Sequence, residues 1–94
     1  MKNKYLKFLE QKEQIYNNKD LTIEQQVEHI FAINKSYLLS LTKNNKVATI
    51  AIYDLLTTML SVSYKKDYVE KYFDINSKLD ELIKVARESE GNEQ

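Results

Sequence analysis

Few side chains in this sequence could do chemistry, and their spacing does not bring them together. His29 is the one histidine and there is no cysteine, so thiolate nucleophiles, disulfides and sulfur-ligated metals are excluded. His29 directly follows Glu28, and adjacent positions on a helix do not face each other. Gln26 stands three residues before it, where the helical metal motif that pairs a carboxylate with a histidine needs Glu. A bound metal also wants three or four ligands in one place. His29 therefore reads as a solvated surface residue. Carboxylates pair at Asp80 with Glu81 and at Glu10 with Glu13. Acid–base work needs two carboxyls in a cleft that drives their pKa values apart, and these pairs fall on the polar faces of helical patterns. The residues predict no catalysis, no cofactor and no metal.

Two other features have odd chemistry. Between Val47 and Tyr64 the only charged residue is Asp54. A lone charge there must reach solvent or a polar partner. Ala51 and Thr58 share its angular position on a helix, so Asp54 is expected to mark the one exposed strip of that segment. Tyr64, Tyr68 and Tyr72 recur every four residues beside Lys65, Lys66 and Lys71. Tyrosines interleaved with cations suit protein recognition, because an amphipathic ring adds contact area at low entropy cost. A boundary layer of the core accounts for the same spacing, and the sequence leaves both readings open.

These residues must be positioned by helices. One Gly and no Pro in 94 residues remove the usual punctuation of β-hairpins. Apolar residues recur at helical spacing in four stretches: residues 4–17 (Tyr5, Phe8, Leu9, Tyr16, interrupted by Lys12), 22–42 (Ile23, Val27, Ile30, Asn34, Tyr37, Leu41), 46–64 and 67–89 (Val69, Tyr72, Phe73, Asn76, Leu79, Leu82, Ile83, Ala86). Residues 90–94 read as a frayed tail. Thr22 with Gln25 is a capping box, Asn45 an N-cap and Asp67 with Glu70 a weaker cap. Lys65 and Lys66 suit the C-terminus of the third helix. Near Asp74 the fourth segment favours helix least, so one helix or two are both compatible with it. Short loops make the neighbours antiparallel, giving an all-α, antiparallel up-down four-helix bundle in a single domain. The third helix, the most apolar, is expected to be the most buried, with Ile50, Tyr53, Leu56 and Leu60 or their neighbours inside. The first is expected to be held most weakly.

Charge narrows the partners. Residues 1–46 carry eight lysines against five carboxylates, and residues 47–94 six cations against nine. Neither half concentrates a basic face, which disfavours nucleic acid. As a membrane span, residues 47–64 would bury Asp54 near the bilayer centre at a cost of about 2.5 to 3.5 kcal/mol, so no transmembrane segment is expected. The charged stretch from Met1 to Phe8 lacks the apolar run of a secretory signal.

From about Glu24 to Gly91 the chain resembles the immunity proteins of pediocin-like (class IIa) bacteriocins, especially the enterocin A immunity group. The segment Ile50-Ala51-Ile52-Tyr53-Asp54-Leu55-Leu56 through Tyr64 is similar to that family's third helix. Tyr72 to Val85, with Leu79, Leu82 and Ile83, is similar to its fourth. The resemblance implies a four-helix bundle and bacteriocin immunity, a form of antimicrobial resistance in Gram-positive bacteria. It implies binding without chemistry: family members act in the cytoplasm, at the inner face of the membrane, on the complex of bacteriocin with the mannose permease. Carried over, the reading surface would comprise Tyr64, Lys65, Lys66, Tyr68, Lys71 and Tyr72. Two competing expectations are a small phage or plasmid-encoded regulator that docks on a bacterial protein, and a homodimer of structural role.

Overall fold

A computed structural model describes residues 3–62 and 67–89 as four α-helices: α1 (Lys4–Tyr16), α2 (Ile23–Leu41), α3 (Lys46–Val62) and α4 (Tyr68–Ser89). Each helix starts at a polar cap that accepts from an otherwise orphaned N–H. Asn3 accepts from Leu6 N at 2.8 Å, Asn45 from Ala48 N at 3.0 Å and Asp67 from Glu70 N at 2.8 Å. At α2 the capping box is complete: Gln25 N donates to Thr22 Oγ1 at 3.1 Å and Thr22 N to Gln25 Oε1 at 2.9 Å. α4 runs unbroken through Asp74–Ser77, so it is one helix. The stretch after Val62 falls outside the described residues, and with it the proposed role of Lys65 and Lys66 at the end of α3.

Side-chain pairs fix the direction of each helix. Gln26 Nε2 donates to the Tyr16 carbonyl at 3.4 Å, and near the other end Phe8 stacks on Tyr37 with ring centroids 4.3 Å apart, so α1 is antiparallel to α2. α4 runs parallel to α2: Tyr68 meets Glu28, Tyr72 meets Phe31, and Asn76 meets Asn34. α3 returns antiparallel to α4, with Lys71 Nζ donating to the Leu60 carbonyl at 3.3 Å. The result is the expected all-α, up-down four-helix bundle. Its core holds Phe8, Leu38, Ile52, Leu56, Ile75, Leu79 and Ile83.

The interior is distributed differently from the sequence expectation. α3 contributes only Ile52 and Leu56 to the buried set, while Val47, Ile50 and Tyr53 are 78%, 60% and 50% exposed. Leu60 is half-buried. The expectation that α3 is the most buried element is therefore wrong. α2 and α4 pack directly on each other, and that pairing is the most extensive in the molecule. Among the described residues the pairing of α3 with α4 is much less extensive, and α3 buries Ile52 and Leu56. Extents of 38 × 31 × 15 Å give the molecule a flattened section, whereas four helices at about 8–10 Å spacing in a square array would be about as wide as thick. α1 is also better anchored than expected, by Phe8 on Tyr37 and by Lys12, whose amine reaches α2 and α4. The expectation for Asp54 holds: it is exposed, as are Ala51 and Thr58.

Candidate functional site: an aromatic ledge on the second and fourth helices

Tyr68 opens α4 and Tyr72 lies one turn later, so both point toward α2. Tyr72 is half-buried and meets Phe31 of α2 edge-on, at 5.3 Å and 70° between rings. Tyr68 leans on Tyr72 with centroids 4.9 Å apart and is 42% exposed. Lys35 Nζ lies 5.3 Å above the Phe31 ring, a cation–π distance. The three rings form a ledge whose inner members are held by packing and whose outer member faces water.

The Tyr68 hydroxyl donates to the Glu28 carboxylate. That bond stabilises the neutral phenol, and with smaller contributions from desolvation and Tyr72 it holds the Tyr68 pKa well above the usual tyrosine value. The same bond orients the Tyr68 hydroxyl on Glu28 across the α2–α4 seam. The ledge offers ring area, one anion and one cation. It offers no nucleophile paired with a base.

Of the six residues the sequence singled out, the structure joins Tyr68 and Tyr72 in this ledge. Lys71 is turned aside: half-buried, it donates to the Leu60 carbonyl near the end of the described part of α3. Tyr64, Lys65 and Lys66 lie outside the described residues. Phe31, Lys35 and Glu28 complete the ledge and went unmarked, because their pairing with α4 depends on a parallel register that local spacing does not encode. His29 is exposed on α2. Among the described residues, no group of three His, Asp or Glu side chains could hold a metal ion.

A second polar constellation lies inside the bundle. Lys12 Nζ donates to Asn34 Oδ1 at 3.0 Å and to Asp80 Oδ1 at 2.8 Å. Asn34 Nδ2 donates to Asn76 Oδ1 at 3.1 Å, and Asn76 Nδ2 to the Val27 carbonyl at 3.3 Å. Asn34 is 0% and Asn76 6% exposed. No buried side-chain N or O among the described residues lacks a partner, so the burial of these amides is compensated. Asp80 raises the pKa of nearby Tyr16, after the larger effect of burial. The sequence did hold a signal for this network. Lys12, Asn34 and Asn76 all sit on apolar stripes, and polar residues at core positions of three helices must find one another. The network ties α1, α2 and α4 together, running from the buried Asn34–Asn76 pair through Lys12 to Asp80 at the surface.

Compared with protein-family models, with curated proteins and with solved structures, the chain matches none. No helix of the described residues is long and apolar enough to cross a membrane.

Proposed function

We propose that this protein works by binding another protein through a preformed helical surface, and that its activity is bacteriocin immunity. The observation that carries the reading is the Tyr68 ledge: an exposed phenol, braced by Tyr72 and Phe31 and oriented by Glu28. A ring held this way loses little entropy on binding, which is what recognition surfaces use aromatic anchors for. A bundle of four helices is the fold that the resemblance to the pediocin-like immunity family implies. In this reading the chain acts in the cytoplasm and engages the permease–bacteriocin complex from the inner side of the membrane, without chemistry and without a cofactor.

The test is expression in a sensitive Gram-positive strain challenged with a panel of pediocin-like bacteriocins. The proposal expects raised tolerance to one or a few of them, and none when the purified protein is added outside the cells. Tyr68→Ala should lower tolerance while the far-ultraviolet helical signal is unchanged. Unchanged sensitivity to the whole panel would overturn the immunity reading and favour the small regulator that docks on a bacterial protein.

A further inference from the structure

α3 is the most apolar of the four helices, yet it presents to solvent a face of mostly apolar and small hydroxyl residues. Ile50 marks the middle of that face. Val47 and Tyr53 lie three residues to either side, and all three are at least half exposed. Lys46 and Asp54, both exposed, lie four residues to either side. At 100° per residue, Val47 and Tyr53 flank the Ile50 direction by about 60° on opposite sides, and Lys46 and Asp54 by about 40°. The face is therefore complementary to itself under one operation, a two-fold axis passing beside Ile50 and perpendicular to the helix.

We propose that this face of α3 binds a second copy of the chain, antiparallel, with Ile50 at the two-fold axis. In that register Ile50 meets its counterpart and each Val47 lies level with the other copy's Tyr53. Each Lys46 lies level with the other copy's Asp54, within reach of the long lysine stem. A two-fold interface uses the same patch on both partners, so the two charges of the face are answered twice over. A parallel pairing would instead set Lys46 on Lys46 and Asp54 on Asp54. Small residues at Ala51, Thr57 and Thr58 let the helices approach closely. The inference is independent of the immunity reading, because it concerns α3 and the chain's affinity for itself.

Sedimentation of the wild-type protein over a concentration series should show a monomer–dimer equilibrium. Lys46→Asp alone and Asp54→Lys alone each set like charges opposite one another twice, and each should weaken dimerisation by about tenfold. An equimolar mixture of the two variants should regain the wild-type affinity as a 1:1 heterodimer, and so should the doubly exchanged protein. Because the chain has no native cysteine, Ile50→Cys supplies a direct distance probe. Under mild oxidation it should form a disulfide-linked dimer. Thr58→Cys should not, since its sulfurs would sit about 24 Å apart along the helices. All these positions are exposed, and circular dichroism of each variant checks that it is folded. A wild-type monomer at every concentration would overturn the proposal. So would equal crosslinking at positions 50 and 58, or a mixture no tighter than its components.

Discussion

Asn34 tests the interior of the bundle most sharply. Its side chain is fully buried, accepting from Lys12 at 3.0 Å and donating to Asn76 at 3.1 Å. In Asn34→Leu, the shape is roughly kept but both bonds go. Asn76 Oδ1 is left without a donor in a site 6% exposed, and Lys12 keeps Asp80. Each buried polar group left unsatisfied costs about 1–3 kcal/mol, and the added apolar burial offsets part of that. The expected net loss is about 1–2 kcal/mol, a sizeable share of the roughly 5–15 kcal/mol typical of a domain. Asn34→Leu with Asn76→Leu removes both amides and the orphaned oxygen with them. The double variant should therefore be more stable than the sum of the two single losses allows, by about 1 kcal/mol or more. Urea denaturation followed by circular dichroism measures all four proteins of the cycle. A loss below about 0.5 kcal/mol for Asn34→Leu, or strict additivity, would refute the claim that this network holds the α2–α4 register.

Three further outcomes follow from the same geometry. Leu56→Ala should cost about 2–5 kcal/mol by leaving a cavity, whereas Ile50→Ala should change stability by no more than about 0.5 kcal/mol in dilute monomer; equal losses would place α3 in the wrong orientation. Tyr68 has its pKa raised in the folded protein above the unfolded value near 10, so its contribution to stability is fully present below pH 10 and fades as pH rises through the folded pKa. Tyr68→Phe should make the alkaline loss of stability shallower, and Glu28→Gln should return the phenol toward ordinary titration, both read by tyrosinate absorbance and denaturation at alkaline pH. Lys71→Met keeps the apolar stem but frees the Leu60 carbonyl. It should lower stability by about 0.5–1.5 kcal/mol and raise amide exchange first in the last turn of α3.

The four helices were legible in the sequence because their signals are local. Thr22 with Gln25, Asn45 and Asp67 each cap the helix they precede, and the apolar stripes fall at helical spacing. Asp54 was readable for the same reason, since Ala51 and Thr58 share its side of the helix. How the helices share the interior was not legible. Apolar content alone put α3 at the centre, but the Asn34–Asn76 pair draws α2 and α4 together and leaves Ile50 and Tyr53 outside. The ledge was half visible. The spacing of Tyr68 and Tyr72 marked it, while Glu28 and Phe31 lie forty or so residues away and join it only through tertiary register. Lys71 carried no sign that it would serve the end of α3.

The central claim, recognition of a bacteriocin-engaged permease by a helical surface that includes the Tyr68 ledge, is tested most directly by capture. A tagged form of the protein is produced in sensitive cells, the cells are treated with bacteriocin or left untreated, and the tag is recovered from solubilised membranes. The account expects the mannose permease to co-purify only after bacteriocin treatment, and expects Tyr68→Ala to reduce its recovery. Equal recovery with and without bacteriocin, or none with any bacteriocin of the pediocin-like panel, would contradict it.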